Sequence, residues 1–129
     1  MTIIDHLSVG VSDLQQAETF YNAALGELNI LPLAKNEMFL AFGEHRVEFL
    51  AMLPRDGNSH SCGNGTHICF VAPSRSAVNA FHTKALENGG TCEGEPGPRA
   101  AYPIPDVYAC FVRDPFGNKL EAIHNGFAK

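Results

Sequence analysis

A chain of 129 residues with a net charge of −5 and 45% hydrophobic residues is expected to form one globular domain with a buried core. The acidic balance, without a run of Lys or Arg, argues against nucleic-acid binding, and no apolar stretch approaches the length of a membrane span. The first ten residues have no basic segment of the kind that begins a signal peptide, which favours a cytoplasmic location.

The first half of the sequence predicts a strand, a helix and three further strands. Residues 3–11 alternate as a strand does, and Ser12 and Asp13 are suited to cap a helix that ends near Gly26. Three more strands are expected over residues 28–34, 38–42 and 46–53. We therefore predict a first module over about residues 1–54, followed by a polar, Gly-rich linker over residues 55–64.

The second half predicts the same order of elements over about residues 65–129. A strand over residues 66–72 precedes a helix that Ser74 or Ser76 caps and that ends near Asn88. A short strand over residues 91–95 leads into a Pro-rich loop over residues 94–105. The last two strands, residues 107–113 and 119–124, form a hairpin, because Pro115 and Gly117 between them favour a tight turn.

The two halves form an internal repeat. A shift of 61 positions places His6 on His67, and it places Phe20 on Phe81. Each half also ends in a strand that carries one carboxylate among apolar neighbours, Glu48 in the first and Glu121 in the second. A buried carboxylate is costly unless a cation meets it, so the repeat raises the question of which cationic group meets Glu121.

Two tandem βαβββ modules with a His on each first strand and a Glu on each last strand resemble the vicinal oxygen chelate superfamily. That superfamily includes glyoxalase I, extradiol dioxygenases, fosfomycin-resistance enzymes, methylmalonyl-CoA epimerase and metal-free bleomycin-binding proteins. The segments IDHLSVGVSDLQQAETFY and FVRDPFGNKLEAI carry the resemblance, which covers nearly the whole chain. It implies an α+β fold whose modules form a curved, incomplete barrel around a divalent metal, and ligands at His6, Glu48, His67 and Glu121.

The chemistry of these side chains agrees with that expectation. Residues two apart on a strand share a face, so one His or Glu per strand can converge inside a curved sheet. Imidazole and carboxylate are suitable ligands for Zn, Ni, Fe or Mn. By resemblance, the metal would stabilise charge on two adjacent oxygens of a small molecule, and Glu121 or Glu48 would act as the catalytic base. By the same resemblance, a set of two His and two Glu implies a lyase or isomerase.

Other residues are candidates for substrate binding. Tyr102 and Tyr108 flank the Pro-rich loop, and Arg99 and Arg113 could bind an anionic group. Glyoxalase I usually has an Arg shortly after the first-strand His, where this chain has Ser8-Val9-Gly10, so glutathione dependence is disfavoured. The alternatives are a metal-free, bleomycin-resistance-type binding protein, and a dioxygenase or thiol transferase of the same superfamily.

The resemblance also implies a homodimer, in which His6 and Glu48 of one chain would meet His67 and Glu121 of the other. Pairing of the modules within one chain is the alternative.

The remaining titratable residues are expected to be structural. Cys69, Cys92 and Cys110 lie in predicted strands as buried free thiols, Cys62 lies exposed in the linker, and four histidines are assigned to helix-surface, turn, loop or sheet-rim positions: His45, His60, His82 and His124.

Overall fold

The computed structural model describes residues 2–128 and contains two βαβββ modules, which confirms the predicted α+β fold. The first module consists of β1 (Leu7–Gly10), α1 (Leu14–Gly26), β2 (Leu31–Lys35), β3 (Phe39–Gly43) and β4 (Phe49–Met52). The second module consists of β5 (Ile68–Val71), α2 (Arg75–Glu87), β6 (Thr91–Pro98), β7 (Tyr108–Arg113) and β8 (Lys119–His124).

Each module forms its own four-stranded sheet, in the orders β1-β4-β3-β2 and β5-β8-β7-β6. The first strand of each module runs parallel to the last, and the other pairs are antiparallel. The two helices pack against each other. One continuous core fills the space between the helices and the sheets, and its large side chains include Phe20, Tyr21, Phe42, Phe70 and Phe81. The sheets do not close into a barrel, and a smaller buried cluster packs on the opposite face of the second sheet: Val107, Ala109 and Ile123, with Tyr102 and Ile104 against them.

The predicted caps begin both helices. The Asp13 carboxylate accepts a hydrogen bond from the Gln16 N–H at the start of α1, and the Ser74 hydroxyl accepts one from the Ala77 N–H at the start of α2. Each helix has 13 residues. Since their bounds differ by the predicted 61 positions, as do those of β1 and β5, the repeat is confirmed for the first strand and the helix. Neither helix is long and apolar enough to cross a membrane, and residues 2–128 contain no other helix that could.

The repeat has a different spacing at its last strand. Leu7 of β1 pairs with Phe49 of β4, whereas Ile68 of β5 pairs with Leu120 of β8. Leu50, and not Glu48, therefore corresponds to Glu121, and the expectation that the two glutamates occupy equivalent positions was wrong. Glu48 lies two residues before Leu50, just ahead of β4. Because side chains alternate with a period of two, a shift of two residues leaves the pattern of faces unchanged.

The turn between β7 and β8 joins the two modules. The buried Asp114 carboxylate accepts hydrogen bonds from the backbone N–H groups of Phe116 and Asn118 and from the Tyr21 hydroxyl of α1. Asn118 also donates to the Gly10 carbonyl in β1, and Gly117 has a φ of +91°. The predicted hairpin is thus confirmed, and its register places Glu121 opposite Phe111.

Several strands are shorter than predicted, and β1, β4 and β5 have four residues each. His6, Glu48 and His67 were expected within these strands, but each lies just before its strand.

The β6 strand, by contrast, extends beyond residue 95 to Pro98. The β6 strand accommodates two prolines because it is an edge strand with register shifts at Gly94 and Gly97. The irregular loop that follows is correspondingly short, and it contains Tyr102.

Candidate active site

Glu121 lies at the centre of the candidate site. Glu121 is 0% exposed, and its side chain lies on the face of the second sheet that the helices do not cover. His67 Nε2 lies 3.1 Å from Glu121 Oε1, and the Tyr102 hydroxyl donates a hydrogen bond of 2.5 Å to Glu121 Oε2. Both carboxylate oxygens therefore have a polar partner, which offsets the cost of burying this group.

A cavity of about 490 Å³ opens beside this carboxylate. Its wall includes the polar groups of His67, Tyr102 and Glu121 together with the apolar side chains of Val71, Ile123 and Phe127. The Phe127 ring, which is 72% exposed, lies 5.8 Å from the Tyr102 ring. A mostly apolar cavity with a few converging polar groups is typical of a site for a small molecule.

The surroundings of Glu121 raise the pKa values of two neighbouring groups. Partial desolvation raises the pKa of the Tyr102 hydroxyl well above its usual range, and the hydrogen bond to Glu121 raises it further. The pKa of the Cys69 thiol, which lies opposite Glu121 on β5, is raised for the same reasons, with desolvation the larger. Tyr102 and Cys69 can therefore act as hydrogen-bond donors beside the carboxylate.

Two cations lie near the same face of the sheet. The Arg99 guanidinium is 5.7 Å and the Lys119 ammonium 5.3 Å from the centre of the Phe111 ring, and Phe111 is the β7 neighbour of Glu121. The His67 ring lies 6.2 Å from that of Phe111. This edge of the site is consequently suited to an anionic group.

Tyr108 and Arg113 do not line the cavity beside Glu121. The Tyr108 hydroxyl donates to Asn79 of α2, because Tyr108 and Phe111 project from opposite faces of β7. Arg113 is on the Glu121 face of the sheet but at its end, where it donates to the Glu93 carboxylate and to the Gly117 carbonyl. Both side chains already have partners away from Glu121.

His6 and Glu48 lie near each other on neighbouring chain segments but apart from His67 and Glu121. The Leu7 N–H donates to the Glu48 carbonyl, while the exposed side chains of His6 and Glu48 pair with Asp5 and Arg46 respectively. Among residues 2–128, the one group of three or more His, Cys, Asp or Glu ligand atoms within 4.8 Å of one another is a different one, formed by His82, Cys92 and Glu95. A single chain thus does not gather the four predicted ligands at one point.

The His67–Glu121 pair nevertheless fits part of a metal site. Two ligands about 2.0–2.2 Å from an ion, at tetrahedral or octahedral angles, lie roughly 2.8–3.6 Å apart. The distance of 3.1 Å between His67 Nε2 and Glu121 Oε1 falls within that range. Tyr102 contacts the other carboxylate oxygen, so Oε1 and Nε2 could bind one ion without displacing Tyr102.

The family model of the Glyoxalase/Bleomycin resistance protein/Dioxygenase superfamily matches residues 3–122. The chain belongs to this superfamily. A glyoxalase/bleomycin resistance protein from Albidiferax ferrireducens T118 is 36% identical, with a TM-score of 0.90 over 96% of this chain and 100% of that one. Among curated proteins, none matches the chain.

More distant members of the superfamily share the fold. A glyoxalase-related enzyme from Fulvimarina pelagi is 15% identical, with a TM-score of 0.74 over 97% of this chain and 89% of that one. A lactoylglutathione lyase from Agrobacterium tumefaciens is 22% identical, with a TM-score of 0.65 over 97% of this chain and 95% of that one. At these identities the likeness establishes the two-module fold alone.

Some residues of the candidate site were not predicted from the sequence. Cys69 follows His67 by two positions and Ile123 follows Glu121 by two, so strand alternation could have placed both on the site face. Phe111 required the pairing register of β7 and β8, and Phe127 required the path of the chain after β8. These last two depend on contacts between segments far apart in sequence.

Two predictions about cysteine and histidine were wrong. Cys69 and Cys92 are exposed to solvent, Cys62 is half-buried, and only Cys110 is buried as expected. His82 lies on the buried side of α2 and not on its surface. Cys69 and Cys92 project from the edge strands β5 and β6, where one side of the strand has no neighbour to cover it.

Proposed function

We propose that this superfamily member is a metal-dependent enzyme of the lyase or isomerase type that acts on a small molecule with adjacent oxygens. The observation that carries the proposal is the fully buried Glu121 carboxylate, held by His67 and Tyr102 beside an apolar cavity. Burying a carboxylate costs free energy that the fold alone does not require, and such groups concentrate at functional sites.

His67 and Glu121 would hold one side of a Zn, Ni, Fe or Mn ion, with His6 and Glu48 as the further proposed ligands. When bound, the ion would stabilise negative charge that develops on two neighbouring substrate oxygens. Glu121 is the proposed proton acceptor, and Glu48 is the alternative base. Tyr102 orients the Glu121 carboxylate through its hydrogen bond to Oε2.

The substrate class follows from the walls of the cavity. A volume of about 490 Å³ suits a small organic molecule, and its apolar side chains would contact the carbon skeleton. Arg99 and Lys119 would attract an anionic group, which supports the predicted role of Arg99. Tyr108 and Arg113 already have partners away from the cavity and are weaker candidates for substrate binding.

We infer that a second copy of the chain completes the metal site. In residues 2–128, β1 and β5 pair on one side only, and apolar side chains are exposed along and beside these edges: Ile3, Ile4, Leu7 and Val71. The same residues line a second cavity of about 690 Å³. Open edge strands with apolar side chains readily pair with another chain, which would bring His6 of one copy towards His67 of the other.

One observation favours a second candidate function. Because Leu50 occupies the position equivalent to Glu121, Glu48 is two residues from that position. A set of His6, His67 and Glu121 would then remain, and two histidines with one carboxylate are the ligand type of the dioxygenase-type and thiol-transferase members of the superfamily. A metal-free, bleomycin-resistance-type binding protein is the third alternative, and it requires none of these ligands.

The test measures metal content by elemental analysis after purification without chelator, in the wild type and three variants. Glu121→Gln is expected to lose at least tenfold in metal affinity, and Glu37→Gln, an exposed carboxylate in the turn before β3, is the control that retains it. A loss in Glu48→Gln supports the lyase-type set of four ligands, whereas full retention supports the set of three. A wild type that neither contains nor rebinds a metal overturns both metal-dependent proposals.

We also expect the protein to be located in the cytoplasm. All four cysteines are free, as is usual for proteins of a reducing compartment. Fractionation of the source cells, followed by immunoblotting, would check it.

A further inference from the structure

A second cluster of ligand-type side chains lies on the other face of the second sheet. His82 projects from the buried side of α2, and Cys92 and Glu95 project from the edge strand β6. Cys92 pairs with Val112, whose side chain is buried towards the helices, whereas Glu121 pairs with Phe111 on the opposite face. The cluster is therefore separated from the Glu121 site by the sheet itself.

The three side chains converge on one point. His82 Nε2 lies 3.2 Å from Cys92 Sγ and 3.9 Å from a carboxylate oxygen of Glu95. Cys92 Sγ lies 3.5 Å from the other oxygen of that carboxylate. Ligands of a tetrahedral zinc ion, at about 2.3 Å for sulfur and 2.0–2.2 Å for nitrogen and oxygen, lie roughly 3.3–3.6 Å apart. The observed distances lie close to this range, and the exposed Glu95 side chain is free to adjust.

We propose that His82, Cys92 and Glu95 bind a divalent transition metal, for which Zn²⁺ is the best match. The alternative arrangement of these residue types is a nucleophilic cysteine with a histidine base and an orienting acid. That arrangement requires the cysteine and the acid to contact different nitrogens of the imidazole. Here both lie next to Nε2, which is the geometry of a shared ion.

Charge and local backbone support the same site. One thiolate and one carboxylate together balance the charge of a divalent cation, while the neutral imidazole of His82 supplies the third ligand. The register of β6 shifts between Cys92 and Gly94, which turns Glu95 towards the side of Cys92. His82 is 7% exposed and held by the helix, whereas the other two are exposed, so water can supply a fourth ligand from the solvent side.

The site does not depend on the proposed enzymatic function, and thiol chemistry tests it separately. Zn²⁺ is added to the purified full chain, and the alkylation rate of each cysteine is followed by mass spectrometry. Cys92 is expected to react at least tenfold more slowly with one equivalent of Zn²⁺, while the half-buried Cys62 serves as the internal reference. Co²⁺ is the second probe, since a bound thiolate gives it a charge-transfer absorption band.

Variants distinguish this cluster from the Glu121 site. Cys92→Ser is expected to remove the Co²⁺–thiolate band, and Glu95→Gln is expected to lower the affinity for Zn²⁺ at least tenfold. Because both side chains are exposed, neither substitution should destabilise the fold. Glu93→Gln, on the same strand but paired with Arg113, and Glu121→Gln are expected to keep both signals. Equal alkylation of Cys92 with and without Zn²⁺, or a thiolate band that survives in Cys92→Ser, would overturn the proposal.

Discussion

The Tyr102 hydroxyl donates its hydrogen bond to Glu121 Oε2 from the loop that joins β6 to β7. The loop is held at its base by the Arg99 N–H, which donates to the Val107 carbonyl, and the Phe127 ring lies beside Tyr102. A residue outside every helix and strand thus orients the one fully buried carboxylate described between residues 2 and 128. Substitution of Tyr102 should affect Glu121 directly.

Tyr102→Phe is expected to lower the free energy of unfolding by about 1–3 kcal/mol, because Glu121 Oε2 loses its donor while it remains buried. A double-mutant cycle with Glu121→Gln, measured by urea denaturation, should give a coupling free energy of about 1–3 kcal/mol between the two side chains. Tyr108→Phe is the matched control, since its hydroxyl bonds to exposed Asn79. Additive effects of Tyr102→Phe and Glu121→Gln would contradict the role of Tyr102.

The free energy of unfolding is expected to fall as the pH rises above about 8.5. The pKa values of Cys69, Tyr21 and Tyr102 are raised in the folded chain, chiefly by desolvation, and that of Cys110 is raised to about 12. In the unfolded chain thiols ionise near pH 8.5 and tyrosines near pH 10, so the unfolded state loses protons first and is favoured as pH rises. Below about pH 8.5 these groups are protonated in both the folded and the unfolded chain, so their contribution to the free energy of unfolding is fully present there.

Cys69→Ser checks the thiol part of this dependence. The slope of the free energy of unfolding between about pH 8.5 and 10 should be shallower in the variant than in the wild type, because one raised thiol has been removed. Urea denaturation at a series of pH values measures both slopes. Identical slopes would show that the pKa of Cys69 is not raised.

Gly117→Ala is expected to destabilise the chain by about 1–2 kcal/mol. Gly117 has a φ of +91°, which residues with a Cβ rarely adopt, and an added Cβ would lie 3.3 Å from Cys62 Sγ. Gly26→Ala is the control, since a Cβ there meets nothing within 4 Å and the residue belongs to α1. Gly26→Ala should be neutral or stabilising by up to about 1 kcal/mol in thermal unfolding. Equal effects of the two changes would contradict the requirement for a turn at Gly117.

Val71→Arg is expected to disrupt the proposed homodimer. Val71 is 54% exposed on the open edge strand β5, so a charged side chain there would oppose pairing with a second copy. Leu86→Arg, an exposed leucine on α2, is the matched control and should leave the assembly unchanged. Size-exclusion chromatography with light scattering measures the mass of each. A wild type that elutes as a monomer at micromolar concentration would contradict the dimer.

Predictions that rest on neighbouring residues agree with the structure. The caps at Asp13 and Ser74 and the turn around Gly117 depend on hydrogen bonds that span only a few residues. The expectation that His67 and Glu121 converge agrees with the 3.1 Å between His67 Nε2 and Glu121 Oε1, although His67 lies just before β5 and only Glu121 lies within a strand. Alternation along a strand is enough to determine which face a side chain occupies.

The two modules, their helices and the convergence of His67 and Glu121 could be predicted from the amino-acid sequence. Three-dimensional contacts were needed to show that Leu50 takes the position equivalent to Glu121, that Tyr102 holds the carboxylate, and that His82 meets Cys92 and Glu95. Strand alternation is unchanged by a shift of two residues, so pairing register depends on packing between distant segments. Contacts made by loops and edge strands likewise depend on how the sheets and helices are packed, which no local pattern encodes.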